Sequence, residues 1–410
     1  MKYIITHMNH YFISAQYEKD VCIALHSYKE KNINNADIAM GNIYIGRVEN
    51  VVKNINCAFI EIQKGVKCYY SLDDNKKHIF LRKENDGRVN QGDALLVQVC
   101  KEPLKTKSAT VTGKIELASK YLVLSTDVDG VYVSSNIKND SRCKPLKDGL
   151  ISYLDNQSNE FANITDYGFI LRSNSIYAQE EDIINEAKKL IDHFYKILKN
   201  GIYGKFCTCL YQSVPSYIQE IQDLSSEHLE EIITDDMQVA ELLKQSLTGK
   251  DIEKVRWYQD DMLPLYKLYD VEKQLKKALS PKVWLKCGGF IVIQQTEALV
   301  SIDVNSAKCV SKKRGEQALE DTYFKVNMEA AAEIAIQLRL RNISGIIIVD
   351  FINMKENEHY NQLIAVLKEY FKKDKIMTTF VDITRLGLVE ITRKRVGKTL
   401  KEVYEDYRIE

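Results

Sequence analysis

Residues 296–354 read TEALVSIDVNSAKCVSKKRGEQALEDTYFKVNMEAAAEIAIQLRLRNISGIIIVDFINM, and this stretch decides the fold around it. Its two mostly apolar, β-branched runs (ALVSI and IIIV) are typical of buried strands. Each run ends in a carboxylate, Asp303 in the first case and Asp350 in the second. The helix-forming run between them, 316–341, is long enough to return the second strand beside the first in a right-handed crossover. We therefore predict that Asp303 and Asp350 lie side by side at one edge of a sheet.

A third polar residue, Asn305, stands two positions after Asp303, so the two side chains share one face of a strand. A carboxylate at the end of a buried strand is costly to desolvate unless a cation or hydrogen bonds compensate. Two carboxylates and an amide suit a hard, oxygen-ligated cation such as Mg²⁺, for which Mn²⁺ can substitute. The plainer alternative is that each aspartate only caps a helix or forms a turn. Both aspartates together, with Asn305 in register, favour the metal site.

The segments EALVSIDVNSAK, SGIIIVDFINM and TRLGLVEITRKR, with the helix between the first two, resemble the catalytic region of the ribonuclease E/G family. The resemblance covers nearly the whole chain. It implies a Mg²⁺-dependent endoribonuclease that cuts single-stranded RNA to 5′-phosphate and 3′-hydroxyl ends, in the processing and decay of rRNA and mRNA. Asp303 and Asp350 match the family's metal-binding aspartates, and Asn305 matches an asparagine that holds a carboxylate in place.

The same resemblance implies a multidomain α/β fold. A ribonuclease-H-like domain is expected from residues 1–38 together with residues 205–281. Inserted in it are an S1-type OB barrel (residues 39–113) and a 5′-sensor domain (residues 114–204), and a DNase-I-like catalytic domain follows (residues 282–410). The barrel is also indicated by pattern alone, since its segment contains short strands with evenly spaced turns.

The barrel segment carries Phe59, Tyr69 and Tyr70 among basic residues. Oligonucleotide-binding barrels use exposed aromatic residues flanked by lysines and arginines to stack bases. Alternation along a strand places Tyr69 and Tyr70 on opposite faces, so one of them is expected inside the barrel. The alternative is that all these aromatic residues fill the core. The resemblance implies that Phe59 and Tyr70 contact RNA.

A phosphate-binding pocket is predicted around Arg172, which ends an apolar strand and is followed by Ser173. A guanidinium beside a hydroxyl forms a plausible phosphate fork, although such an arginine is more often a surface ion-pair partner. The resemblance implies a site for a 5′-terminal monophosphate. Its expected members are Arg172, Ser173 and Val133, the last on a predicted hairpin that turns near residues 129–130. Lys107 is a further candidate phosphate contact.

Basic residues near the predicted catalytic edge suggest contacts with the RNA backbone. Lys308 follows Asn305 in a basic loop, for which simple solvation is the alternative. The C-terminal stretch 384–401 is the most basic part of the chain and contributes the candidates Arg385, Arg393 and Arg395.

Composition limits the remaining classes. The chain has 410 residues, 45% of them hydrophobic, and a formal net charge of +0, so nucleic-acid binding must rely on local basic patches. No segment has the apolar length of a membrane helix. The absence of a signal peptide and the nine scattered cysteines predict a cytoplasmic protein with free thiols. The resemblance implies a C-P-x-C segment that shares zinc between subunits and joins dimers into a tetramer. No cysteine follows Cys309 in this sequence, so we expect no zinc, and a homodimer is the assembly left open.

Two other functions fit parts of the pattern. A protein that keeps the scaffold and binds RNA without cutting it is the main rival, and the intact Asp303, Asn305 and Asp350 argue against it. A metal-dependent deoxyribonuclease is compatible with the paired carboxylates alone.

Overall fold

The computed structural model describes residues 1–8, 11–29, 38–103, 108–157, 159–224, 227–247, 249–307, 309 and 316–406. The chain divides into two compact units. The first contains residues 1–30 and 226–410, and the second contains residues 31–225.

The strands, in chain order, are β1 (Lys2–Met8), β2 (Tyr11–Glu18), β3 (Val21–Lys29), β4 (Ile43–Val52), β5 (Cys57–Gln63), β6 (Val66–Ser71), β7 (Ala94–Lys101), β8 (Thr110–Thr112), β9 (Glu116–Ala118), β10 (Leu122–Ser125), β11 (Val131–Val133), β12 (Gly168–Leu171), β13 (Cys209–Tyr211), β14 (Glu231–Thr234), β15 (Val255–Trp257), β16 (Lys282–Trp284), β17 (Phe290–Gln295), β18 (Val300–Asn305), β19 (Gly345–Asp350), β20 (Thr378–Ile383) and β21 (Val389–Arg393). The α-helices are α1 (Cys143–Asp155), α2 (Glu180–Tyr203), α3 (Ser216–Gln222), α4 (Met237–Ser246), α5 (Leu265–Leu268), α6 (Val271–Leu279), α7 (Glu316–Leu340), α8 (Asn357–Lys372) and α9 (Leu400–Asp406). Within the described residues, none of the helices combines the length and the apolar character needed to cross a membrane.

The described residues of the first unit form two sheets. One has the order β15-β14-β1-β2-β3. It joins strands from the two separate segments of this unit, with β1 running parallel to β14. The other has the order β16-β17-β18-β19-β21-β20 and carries the predicted catalytic strands. Helix α7 joins β18 to β19, and these two strands are parallel, as the sequence predicts.

Helices α7 and α8 cover one face of this six-stranded sheet, which we call the catalytic sheet after its predicted role. Their apolar residues alternate at helical spacing and pack against the inward residues of the strands. The fully buried members of this core include Ile334, Leu338, Leu363, Leu367 and Ile347. Because side chains alternate along a strand, the polar residues of β18 and β19 face away from both helices.

The second unit contains the predicted barrel. Strands β4, β5, β6, β8 and β7 pair in that order, and β7 pairs back to β4, which closes the barrel. The expected OB-like barrel is therefore confirmed. Its interior is filled by apolar and aromatic side chains such as Tyr44, Ile60, Tyr70 and Val97, all 0% exposed.

The other sheet of the second unit has the order β11-β12-β10-β9. The predicted hairpin at residues 129–130 is wrong, because β12 lies between β10 and β11, and β11 runs parallel to β12. The long-range pairing depends on two glycines. Phe169 donates its amide to the Gly130 carbonyl at 2.8 Å, and a Cβ at Gly168 would collide with the backbone of Gly130.

Candidate active site

The two predicted carboxylates are brought together by strand register. Strands β18 and β19 pair in parallel, and Asp303 is the register partner of Asp350. Neighbouring strands lie about 4.8 Å apart, so the side chains are direct neighbours on one face of the sheet. Both aspartates are exposed, whereas Ile302 and Val349 beside them are buried against the helices. The predicted juxtaposition of Asp303 and Asp350 is confirmed.

Asn305 lies on the same face and contacts the first carboxylate directly. Its Nδ2 donates to Oδ2 of Asp303 at 2.6 Å. This bond holds one carboxylate oxygen and leaves Oδ1 of Asp303 available for other partners. The role expected for Asn305, that of holding a carboxylate, matches this contact.

The segment that follows Asp350 is held by a side chain that sequence reasoning missed. Asn327, in the middle of α7 and 0% exposed, donates to the Ile352 carbonyl at 2.8 Å and accepts from the Ile352 amide at 3.1 Å. A buried backbone group needs such a partner where the strand has ended. The available signal was an asparagine within an apolar stretch of the helix, next to Val326 and close to Ala330.

Glu320, about two turns before Asn327 on α7, holds the next part of the same segment and was also missed. It is 6% exposed and accepts from the amides of Lys355 at 2.9 Å and Glu356 at 3.1 Å, and from Nδ1 of His359 at 3.1 Å. Burial by itself raises the pKa of Glu320, but these hydrogen bonds outweigh it, and the pKa falls below its ordinary value of 4.5. The His359 ring stacks on Phe324 with the centroids 4.3 Å apart. Helix α7 therefore fixes the chain that leaves Asp350.

The residues that could hold a cation are the carboxylates of Asp303 and Asp350 and the amide oxygen of Asn305. Within the described residues there is no group of three or more His, Cys, Asp or Glu side chains arranged for a metal. This donor set still fits Mg²⁺, which is often held by one or two carboxylates while water and substrate phosphates fill its other positions. It does not fit a structural zinc site, which is usually four-coordinate through Cys and His.

Arg385 lies at the same edge of the sheet as the carboxylates. It is exposed in the loop between β20 and β21, and β21 begins at Val389, the partner of Val349. The loop is closed by hydrogen bonds between Thr384 and Leu388 at 2.8 Å and between Gly387 and Thr384 at 2.9 Å. An exposed guanidinium in this loop is a candidate partner for an RNA phosphate, and its contact with RNA stays a prediction.

Arg393 was predicted to contact RNA, and the structure contradicts this. Its side chain is 2% exposed, and Nε donates to Asp374 Oδ2 at 2.8 Å. Nη1 donates to the Ile343 carbonyl at 2.8 Å and to Asn342 Oδ1 at 3.0 Å. Arg393 also pairs with Gly345, at the opposite end of β19 from Asp350. It is a structural residue, because alternation turned this position of β21 inward.

The other basic candidates are placed less directly. Arg395 is exposed and donates to Glu402 at 2.9 Å. It follows the last residue of β21, at the end of that strand that is far from Asp350. Its contact with RNA stays a prediction. Lys308 and Lys107 lie outside the described residues.

In the barrel, Phe59 and Tyr69 form a partly exposed aromatic pair. The two residues are register partners on β5 and β6, both are half-buried, and their rings meet edge to face with centroids 6.4 Å apart. Tyr70 is 0% exposed, and its hydroxyl bonds Nδ1 of His78 at 2.8 Å. Burial raises the pKa of the Tyr70 hydroxyl. The predicted contact of Tyr70 with RNA is therefore wrong, since one position along a strand changes the face.

The predicted phosphate pocket forms at the carboxyl ends of two parallel strands. Val133 is the partner of Leu171, so it lies beside Arg172 and Ser173 at one sheet edge. The Arg172 guanidinium is 26% exposed, donates to the Ser119 carbonyl at 2.5 Å and forms an ion pair with Asp223. A guanidinium has five N–H donors, so these two contacts leave donors for a further anion.

Comparison with known proteins identifies the family. The model of the ribonuclease E/G family matches residues 116–396. Ribonuclease G of Salmonella typhimurium (strain SL1344) is 33% identical over 378 residues, covering 89% of this chain and 74% of that protein. Ribonuclease G of Haemophilus influenzae is 33% identical over 389 residues, covering 90% of this chain and 74% of its own. Ribonuclease E of a Nostoc species is 31% identical over 390 residues, covering 90% of this chain and 53% of its own. The exposed, register-paired carboxylates and the closed barrel thus occur in a chain that belongs to the ribonuclease E/G family.

Proposed function

We propose that this protein is a Mg²⁺-dependent endoribonuclease, with Mn²⁺ as a substitute ion, that cuts single-stranded RNA to 5′-phosphate and 3′-hydroxyl ends. The observation that carries the proposal is the register pair Asp303–Asp350 on an exposed sheet face, with Asn305 bonded to Asp303. The relatives named Ribonuclease G and Ribonuclease E support the ribonuclease activity in this proposal.

Asp303 and Asp350 are the residues that would hold the ion. When bound, Mg²⁺ supplies an activated water and stabilises charge on the phosphate. Asn305 restrains the Asp303 carboxylate, and Arg385 offsets phosphate charge at the same edge. In the reaction the water oxygen loses a proton and bonds to phosphorus, the bond from phosphorus to the 3′ oxygen breaks, and that oxygen takes up a proton.

Single-strand binding by the barrel belongs to the same proposal. Phe59 and Tyr69 present adjacent, half-buried rings, and a ring face that is partly open to solvent can stack on a base of any sequence.

Replacing Phe59 or Tyr69 with Ala is expected to weaken RNA binding roughly tenfold, since a base–aromatic stack contributes about 1–3 kcal/mol. Fluorescence anisotropy with a labelled single-stranded RNA in EDTA measures this without cleavage. Tyr70→Phe is the matched control. It leaves RNA affinity unchanged but costs about 1–3 kcal/mol of stability, because His78 loses its partner. An affinity loss in Tyr70→Phe equal to that in Tyr69→Ala would contradict the assignment.

The edge formed by Arg172, Ser173 and Val133 is proposed to bind a 5′-terminal monophosphate. Asp223 already pairs with the guanidinium. A phosphate must therefore use the remaining donors or replace Asp223, and the resulting preference is modest.

One experiment tests the nuclease and the pocket together. A short single-stranded RNA with a 5′-monophosphate, 5′-triphosphate or 5′-hydroxyl is incubated with the protein in Mg²⁺, and product ends are analysed. We expect internal cuts roughly tenfold faster with the monophosphate, the value of one charge-assisted hydrogen bond of about 1.5–3 kcal/mol. Arg172→Gln should abolish this difference. Arg142→Gln, an exposed arginine paired with Asp140 in the same unit, should keep it.

The outcomes separate the alternatives. Cleavage that ignores the 5′ end keeps the nuclease and removes the pocket. Binding without cleavage in Mg²⁺ and Mn²⁺ favours the non-catalytic RNA-binding protein, and faster cutting of a matched DNA strand favours the deoxyribonuclease.

The proposed role is the processing and decay of rRNA and mRNA in the cytoplasm, as the family resemblance implies. A homodimer is part of the same proposal, and the mass of the protein in solution tests it.

A further inference from the structure

An aromatic pair with a lysine lies on the catalytic sheet beside the carboxylates, and no step described so far uses it. Trp284 on β16 is 58% exposed and meets Phe290 on β17 with ring centroids 5.3 Å apart. The Lys282 ammonium lies 4.2 Å from the Trp284 ring centre and 3.6 Å from that of Phe290.

Strand register places this cluster on the same face as the candidate active site. Trp284 pairs with Phe290, and Phe290 pairs with Asn305, the residue bonded to Asp303. Directly paired residues of antiparallel strands share a face. The neighbouring residues Ile291 and Val304 are buried on the other side, against the helices. The row Trp284–Phe290–Asn305 therefore continues the face that carries Asp303 and Asp350.

The spacing suits an adjoining nucleotide. Trp284 is two strands away from Asn305, about 10 Å across the sheet. The approach of β17 to β18 is close at this point, because a Cβ at Gly289 would lie 2.8 Å from the Asn305 carbonyl. A base stacked on the aromatic pair would thus lie beside the phosphate that the aspartates hold.

We propose that Trp284 and Phe290 form a stacking platform for a nucleobase of the RNA adjoining the cleaved bond, and that Lys282 contacts a phosphate of that nucleotide. The inference rests on the proposed nuclease function and adds a base-binding subsite to it. The side chain of Lys282 is flexible, so its ammonium group can leave the aromatic rings and contact a phosphate when a base binds.

Charge favours RNA over a protein as the occupant. Exposed aromatic residues occur in both kinds of surface, but lysine is depleted at protein–protein interfaces and characteristic of nucleic-acid grooves. The ammonium lies directly on the rings, and the patch continues into a site that binds phosphate in the proposed mechanism.

Cleavage kinetics test the platform. Trp284→Ala is expected to raise KM roughly tenfold, the size of one lost base stack, while Trp284→Phe retains most of the affinity. The matched control is Trp257→Ala, which removes the other tryptophan of the chain, 44% exposed on a different sheet. A series of RNAs with one abasic nucleotide near the cut should contain one that wild type cleaves as poorly as Trp284→Ala cleaves intact RNA. Trp284→Ala should lose nothing further with that RNA.

Binding gives a readout independent of turnover. In the variant Trp257→Phe with Asp303→Asn, Trp284 is the sole tryptophan. Its fluorescence should be quenched by intact RNA and not by the RNA that lacks the stacked base. If the wild type cleaves RNA, the platform is overturned by absence of quenching or by equal KM values for Trp284→Ala and Trp257→Ala. A wild type that does not cleave overturns the nuclease itself. Loss of a dimer in Trp284→Ala, with the KM for RNA unchanged, assigns the patch to a second copy instead.

Discussion

Replacing Asp303 or Asp350 with Asn is expected to slow RNA cleavage by about a thousand-fold or more, because each change removes one of the two anionic groups that would bind Mg²⁺. The two carboxylates are register partners and are exposed, so neither replacement is expected to disturb the fold. RNA affinity should change little, since no phosphate contact is removed. Single-turnover cleavage across a Mg²⁺ titration and anisotropy in EDTA measure the two quantities separately.

Cleavage should be reduced less when the replaced residue only positions one of the two aspartates. Asn305→Ala frees the Asp303 carboxylate to rotate without removing charge, so a loss of about 10- to 100-fold is expected, as for other residues that orient a ligand. Asp321→Asn, an exposed aspartate on α7, controls for charge and should cleave as wild type does. Unimpaired cleavage by Asp303→Asn would contradict the proposed metal site.

Replacing Arg393 with Met is expected to destabilise the first unit by about 3–5 kcal/mol and to leave the intrinsic RNA contacts intact. Asp374 is 7% exposed and would lose its guanidinium partner, and Asn342 with the Ile343 carbonyl would lose donors at the start of β19. Urea unfolding followed by tryptophan fluorescence measures the change, since Trp257 and Trp284 both lie in this unit.

A second variant distinguishes a buried ion pair from an RNA contact. Arg393→Met combined with Asp374→Leu removes both charges and should recover most of the lost stability, because the uncompensated carboxylate is gone. Lys394→Ala, the exposed neighbour, should unfold as wild type does. Wild-type stability with weakened RNA binding in Arg393→Met would show that the buried assignment is wrong.

The elements around the catalytic strands were predictable because their patterns are local. An apolar, β-branched run ending in Asp, a long helical run and a second such run determine two strands and a crossover helix, and they bring Asp303 beside Asp350. The same holds for the pairing of Asn305 with Asp303, which follows from the two-residue period of a strand. The barrel was indicated by evenly spaced turns.

The sheet face on which a side chain lies, and the pairing of strands distant in sequence, could not be predicted in this way. Tyr69 and Tyr70 are the same residue type, and only the strand register shows that Tyr69 lies beside Phe59 and is partly exposed while Tyr70 is buried. In the sequence, Arg393 is one basic residue among several in a basic stretch. Only the structure shows that its position in β21 directs the side chain towards Asp374. The hairpin at residues 129–130 failed because β12, distant in sequence, occupies the edge of β10.

The sequence by itself determined the type of fold, the paired aspartates and the family, because these depend on residue types at short, regular spacing. Tertiary structure alone decided which aromatic and basic side chains are free to meet RNA, and it placed Trp284 and Phe290 in line with Asn305. Those assignments depend on pairings between segments far apart in the chain, and a shift of one residue in any of them would turn each side chain to the opposite face.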